Sequence, residues 1–310
     1  MKPAPQGWLP FFCLLLAMIL WAGSFVALKL AFRAYDPVFV LFARMAIASL
    51  CSLVLIRRFG GVRFRTGDLK FMAFMTVCEP CLYFLFEARA IENTTASQAA
   101  MITAMLPLLV AVAARVFLKE RTTAKTAAGF ALAIAGTIWL SLYGEPDAGA
   151  PNPVLGNFME FMAMVCATGY TIALKRLSSR YHPFFLTMLQ AFAGSLFFLP
   201  FLLARQSALP AHFDVTAALS IFYLAVPITL GAYGLYNYGV SKIPASQATA
   251  FANLIPVFAV LLGWLVLGEQ FTRMQYAASA LVLAGILLSQ SKTGQGESLG
   301  DEACASKASV

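Results

Sequence analysis

The stretch Ala96-Ser97-Gln98-Ala99-Ala100-Met101-Ile102-Thr103-Ala104-Met105-Leu106-Pro107 has a second copy, 149 residues on, in Ala245-Ser246-Gln247-Ala248-Thr249-Ala250-Phe251-Ala252-Asn253-Leu254-Ile255-Pro256. Matches of Ala and Leu mean little in so apolar a chain. Ser, Gln and Pro are uncommon inside or beside membrane helices. The same shift also lays Leu118 on Leu267, Glu120 on Glu269, Thr123 on Thr272 and Ala135-Gly136 on Ala284-Gly285. At slightly different offsets Tyr83-Phe84-Leu85-Phe86-Glu87 falls over Tyr233-Gly234-Leu235-Tyr236-Asn237, and Gly23 and Ala27-Leu28-Lys29 fall over Gly169 and Ala173-Leu174-Lys175. Chance accounts poorly for so many polar matches in one order, so the chain is read as two copies of one unit.

The rest of the sequence says in what medium that unit lives. Of 310 residues 60% are hydrophobic and 12% charged, with a mean hydropathy of +0.78, against roughly 25% charged in soluble domains. Apolar side chains must face lipid as well as protein. A helix needs about 20 apolar residues to cross a bilayer, and a chain in lipid must satisfy its backbone internally. Ten runs qualify as predicted helices: Leu9–Lys29, Pro37–Ile56, Leu69–Ala90, Ala96–Leu118, Thr126–Tyr143, Leu155–Leu174, Phe184–Ala204, Ala218–Val240, Ala245–Leu267 and Met274–Ser289. Short turn-like breaks such as Phe59-Gly60-Gly61 and Gly144-Glu145-Pro146-Asp147 separate them. The first run is long enough to span and is followed by nine more, so it reads as a helix and not a signal peptide. The expected organisation is a first repeat over 1–143, a linker over 144–154, a second repeat over 155–290, and a polar, Gly/Ser-rich, disordered cytoplasmic tail over 291–310.

With the N-terminus inside, fifteen of the 22 Lys and Arg fall in inner segments and five in outer ones, with Arg44 and Arg115 inside helices. The positive-inside rule then places both termini in the cytoplasm. The net charge of +8 is thereby explained without a nucleic-acid partner. Five helices per unit is an odd number, so the second copy must enter from the opposite side. The predicted fold is all-α and integral to the membrane: ten transmembrane helices as two inverted five-helix repeats around a central cavity. Inverted repeats are typical of secondary transporters.

Trp21-Ala22-Gly23-Ser24-Phe25 with Lys29 in the first helix, Ala-Ser-Gln-Ala opening the fourth and ninth, and Leu118-Lys119-Glu120-Arg121 and Leu267-Gly268-Glu269-Gln270 closing them resemble the drug/metabolite transporter superfamily, and in it the EamA group. Gln270 departs from the Arg usual at the end of that closing motif. The resemblance covers about residues 9–290. It implies a ten-helix carrier with a cavity shared by two halves, moving small molecules such as amino acids, and it leaves the substrate open.

Ionisable residues inside spans are costly and so are candidates for function. Those singled out are Arg44, Glu79, Glu87 and, near an inner helix end, Arg115. Helical rise puts Glu79 near mid-membrane and Arg44 at similar depth. The two could form a pair locking neighbouring helices, or Glu79 could carry a proton or meet substrate charge. Glu87 lies about 80° round the helix from Glu79, bordering the same cavity or meeting headgroups beside Arg89. Tyr83, Tyr233, Tyr236 and Asn237 either line the cavity or, for the tyrosines, form an interfacial belt. Trp21 and Asn253 complete the candidate cavity set. Gln98, Gln247, Pro107, Pro256, Glu120 and Glu269 read as structural or interhelical, the last two as pairing with loop cations or capping a neighbouring helix. Cys78 and Cys81 lie in an apolar run without a second ligand pair, and no metal or cofactor is expected.

The reading is a non-enzymatic carrier for a small neutral or zwitterionic metabolite, an amino acid or relative, working by alternating access and most simply as an exporter. Protons are a candidate coupling ion and a bacterial inner (plasma) membrane the expected location. A passive facilitator or channel stays open. A lipid-modifying enzyme is disfavoured, since His182 and His212 lie in loops on opposite faces and no nucleophile elbow or phosphate loop occurs.

Overall fold

A computed structural model describes residues 8–56, 65–117, 124–143, 149–205 and 209–290. The described residues are helical, without strands, in the order α1 (Leu9–Phe32), α2 (Pro37–Ile56), α3 (Thr66–Asn93), α4 (Ala96–Phe117), α5 (Ala124–Leu142), α6 (Pro153–Leu177), α7 (Pro183–Ala204), α8 (Val215–Lys242), α9 (Ala245–Leu267) and α10 (Arg273–Gln290). Eight of these, α1 to α4 and α6 to α9, are long and apolar enough to cross a membrane, while α5 holds a shorter apolar stretch, Ala131–Leu140. The expected tail and part of the expected linker, with Glu120, lie outside the described residues.

Local chemistry starts the helices. Pro37, Pro153 and Pro183 occupy first-turn positions, where the missing N–H has no intrahelical partner to lose. Asn152, Thr95 and Asp214 accept from the backbone N–H three residues on, at 3.1, 3.1 and 2.8 Å, which caps α6, α4 and α8.

Prolines also break four helices. In α4 regular turns stop at Thr103 and resume at Leu106; in α9 a tight turn fills Phe251–Asn253. Each break stands one turn before the paired prolines, Pro107 and Pro256, which cannot return a hydrogen bond to the preceding turn. In α3 and α8 the backbone widens over Val77–Leu82 and Leu224–Ala232, around Pro80 and Pro227. Widened turns of this kind recur at functional sites. Glu79 itself is extended (φ −150°, ψ 118°).

The main core runs through α1 to α4 and α6 to α9; a second, smaller core joins α4, α5 and α10 around Met101, Leu140 and Val282. The match of Gly136 to Gly285 has its reason there. A Cβ on Gly136 would stand 2.8 Å from the Val282 backbone N, and one on Gly285 2.6 Å from that of Ala133. Small residues let the two helix backbones approach in lipid.

Candidate functional site

Arg44 is the largest fully buried side chain and anchors the site. Its Nε donates to Thr229 Oγ1 of α8 at 2.9 Å, its guanidinium lies 3.9 Å over the Phe84 ring, and its Nη1 stands 3.8 Å from Glu87 Oε2. Thr229 lies in the widened stretch of α8, where its hydroxyl donates to Leu224 O at 2.8 Å. Glu87 Oε1 also accepts from Tyr83 Oη, one helical turn away, at 3.1 Å.

The expected pairing of Arg44 with Glu79 is therefore corrected: the cation pairs with Glu87. Glu87 is 3% exposed, so it is not a headgroup contact; Arg89 instead pairs with Glu92 at 3.0 Å. The cause is the break in α3: depth and angle taken along a straight helix do not hold past the extended Glu79. The break turns Glu79 toward α8, where Tyr233 Oη donates to Glu79 Oε1, while Gln190 Nε2 of α7 donates to the Glu79 carbonyl at 3.1 Å.

Aromatic rings close the site from the other side. The Trp21 ring meets Tyr233 and Tyr236 at centroid distances of 5.1 and 5.0 Å, and Tyr170 packs on both at 6.2 Å. Trp21, Arg44, Glu79, Tyr83, Glu87, Tyr233 and Tyr236 line one cavity of about 40 Å³, together with Ser24, Thr103 and Thr171. That volume holds only a few waters.

Two members of the predicted set stand elsewhere. Asn237 is buried between helices: Tyr170 Oη donates to its Oδ1, and its Nδ2 donates to Thr187 Oγ1 at 2.9 Å and Gln190 Oε1 at 3.4 Å. It ties α6 to α7 and lines no part of the cavity. Asn253 sits at the break in α9, half-buried and away from the cavity, its Oδ1 enclosed without a partner among the described residues.

Among the residues read as interhelical, Gln98 Oε1 accepts from Asn157 Nδ2 at 3.2 Å and from Thr94 Oγ1 at 3.3 Å. Its counterpart Gln247 is exposed, so the two paired glutamines have different surroundings. Glu269 receives Ala96 N, Ser97 N and Ser97 Oγ at 2.8, 2.9 and 2.6 Å. Gly268, with φ +71°, makes the left-handed turn that aims this carboxylate at the start of α4.

The reading of the sequence passed over Glu160. It lies inside the apolar run 155–174 and is 0% exposed. Neither of its oxygens has a hydrogen-bond partner among the described residues. The signal was available: a carboxylate five residues into a predicted span.

The family model described as "EamA-like transporter family" matches residues 8–142 and again 154–290. The chain belongs to the EamA-like transporter family. An uncharacterized transporter of Bacillus subtilis, YetK, is 29% identical over 66% of this chain and 63% of its own length, so the chain spans under two thirds of that relative. A probable terminal-alkyne amino-acid exporter of Streptantibioticus cattleyicolor is 27% identical over 90% of this chain and 93% of its own. A solved crystal structure superposes with a TM-score of 0.64 at 18% identity, covering 91% of this chain and 96% of that one; this likeness is one of fold. Relatives of this family chain are transporters of the drug/metabolite superfamily rather than enzymes, and the chain is a multi-pass membrane protein.

Proposed function

We propose that this protein is a secondary transporter that moves a small zwitterionic or neutral metabolite across a bacterial inner membrane by alternating access, and that it acts as an exporter. The observation that carries the reading is the small, enclosed cavity in which one buried guanidinium and two carboxylates face a wall of Trp21, Tyr233 and Tyr236. An amino acid fits that chemistry. Its carboxylate suits Arg44, its ammonium suits Glu79, and a side chain packs on the rings. The cavity at about 40 Å³ is too small for such a molecule, so transport requires the enclosing helices to part, first on one side and then on the other.

The ten-span topology belongs to the same proposal. Two units, 1–143 and 155–290, each of five helices, enter from opposite faces with both termini in the cytoplasm. The match of the family model to both halves, the paired breaks at Pro107 and Pro256, and the crossing of Gly136 and Gly285 support it. The exporter named among the relatives acts, by its name, on an amino acid, which agrees in kind with the chemistry of Arg44 and Glu79.

The test is a metabolite screen. Efflux from cells expressing the protein is compared with that from cells expressing Arg44→Gln. The expected result is export of one or a few amino-acid-like solutes that the variant fails to move. A full screen in which no amino-acid-like solute depends on the wild-type protein would overturn the reading.

A further inference from the structure

Glu160 is a buried acid that the proposed cavity does not use. On α6, Met164 and Ala167 line the cavity, and Glu160 lies on the same helix face one turn earlier, about 6 Å along the axis. It is also about 10 Å inside the start of α6 at Pro153. Glu87, which does line the cavity, and Tyr83 stand within electrostatic reach of it. Glu160 thus stands on α6 between the cavity-lining Met164 and the start of the helix at Pro153, within electrostatic reach of Glu87.

The surrounding charges do not satisfy it. From α3 it faces Tyr83 and Glu87, with Glu79 deeper in; Arg89 and Glu92 pair with each other at the surface. Arg44 of α2 is committed to Glu87, Thr229 and Phe84. From α8 come Tyr233, held on Glu79, and Tyr236, whose hydroxyl shares a hydrogen bond with Thr171 at 3.1 Å. Arg115 of α4 lies at the other end of its helix, and Tyr143 after α5 is exposed. Three carboxylates therefore share this buried region with one guanidinium. Among the described residues, both oxygens of Glu160 and Oε2 of Glu87 lack hydrogen-bond partners.

Such a group is satisfied by a proton, by a metal cation, or by water admitted when the helices part. A metal cation of the Mg²⁺ or Ca²⁺ type asks for about six oxygens. Among the described residues, the carboxylates of Glu160 and Glu87 and the Tyr83 hydroxyl together offer fewer oxygens than that, which fits a proton and falls short of an ion.

We infer that Glu160, coupled to Glu87, is the proton-binding site that links transport to the proton gradient, distinct from the substrate contacts at Arg44 and Glu79. The inference rests on the transport reading above. In the closed state Glu160 carries a proton. When the bundle opens and water reaches it, its O–H bond breaks, the proton passes to water, and the carboxylate is left to take up another from the opposite side. Water is the only co-reactant. Through Glu87 the charge left on Glu160 bears on the Arg44 pair, so proton release and the charge presented to substrate are linked.

Carbodiimide labelling tests this without a substrate, because N,N′-dicyclohexylcarbodiimide reacts with protonated carboxyls in apolar surroundings. The full chain in detergent micelles is labelled across a pH series and the adduct on Glu160 is measured by peptide mass spectrometry. The expected result is an adduct that falls about tenfold for each pH unit above its midpoint and is unaffected by sodium or magnesium at fixed pH. Glu87→Gln is expected to move that midpoint, since the two carboxyls titrate together. Absence of label on Glu160 at every pH would overturn the inference. So would protection by a metal ion, or a midpoint that Glu87→Gln leaves in place. Labelling can fail while the metabolite screen succeeds, and the reverse, so the two readings fail separately.

Discussion

The Arg44–Glu87 pair makes the sharpest quantitative claim. At 3.8 Å and an effective dielectric of about 20, the Coulomb attraction is about 4 kcal/mol. Removing one partner leaves the other charge buried, and breaking such a pair costs about 3–5 kcal/mol. Arg44→Gln is the more severe change, because it also strips the 2.9 Å bond to Thr229 and the stacking on Phe84. Glu87→Gln leaves both in place and removes only the counter-charge. The double variant carries no buried orphan charge from this pair. Its loss of stability is therefore expected to fall short of the sum of the singles by at least about 2 kcal/mol. Reversible unfolding of the purified protein in mixed micelles, followed by Trp fluorescence over a detergent series, gives the four free energies. Single losses that add to within about 0.5 kcal/mol would refute the coupling and with it the placement of Arg44 as the counter-charge of Glu87.

Three further outcomes follow from the geometry. Glu269→Ala removes the acceptor of three hydrogen bonds at the start of α4 and is expected to cost roughly 2–3 kcal/mol; an unchanged thermal midpoint in detergent would count against the cap. Tyr233→Phe keeps the ring contacts with Trp21 but leaves both Glu79 oxygens without a hydrogen-bond partner, so a loss of about 1–3 kcal/mol and slower efflux are expected, and normal efflux would show that the bond does not matter to the transport cycle. Gly285→Ala drives a methyl toward the Ala133 backbone N and the Gly129 carbonyl, at 2.6 and 2.7 Å, and is expected to part α5 from α10 at a cost of about 1–3 kcal/mol, read as a lower thermal midpoint than that of an alanine at exposed Leu288.

How far the sequence carried these features depends on whether they were local. The duplicated Ala-Ser-Gln-Ala stretches and the matched Leu118-Lys119-Glu120 and Leu267-Gly268-Glu269 could be read directly, and a cap on a neighbouring helix was one of the roles open to Glu269. What could not be read was which helix it caps: the carboxylate at the close of α9 reaches the start of α4, a relation across 172 residues. The cavity-facing Tyr233 and Tyr236 could be named because they stand with Gly231, Gly234 and Asn237 within two turns of one apolar run, and Tyr83 is the residue the repeat lays over Tyr233. Angles beyond the break in α3 could not, because 80° between Glu79 and Glu87 presumes an unbroken helix and the extended Glu79 voids it. Repeat logic also overreached at Gln247, where an equivalent position is exposed while Gln98 is buried, and at Asn237, whose partners come from α6 and α7 and are invisible in a pattern along α8. Glu160 was legible as a carboxylate in an apolar run, but its meaning rests on having no partner, and that is a property of neighbours.

The breaks and the acids coincide, and that coincidence has mechanical content. A helix bends most readily where backbone hydrogen bonds are already missing, and α3, α4, α8 and α9 each have such a point beside a proline. Glu79 sits in the break of α3, Thr229 in that of α8, and Thr103 at that of α4; all three touch the cavity or hold Arg44. On the proposed alternating-access reading, bending at these points cannot leave the polar contacts unchanged. A tilt of α8 at Leu224–Ala232 draws Thr229 from Arg44 and Tyr233 from Glu79 together, since Thr229 lies within that stretch and Tyr233 follows it directly. The bend would then expose two carboxylates and a guanidinium in a single movement, and substrate charge or water would have to take over the contacts given up. A ligand stabilises a conformation only by its differential contacts with the two states. On the proposed reading those contacts lie where the helices hinge, so the groups proposed to recognise a solute are the same groups that hold the bundle shut.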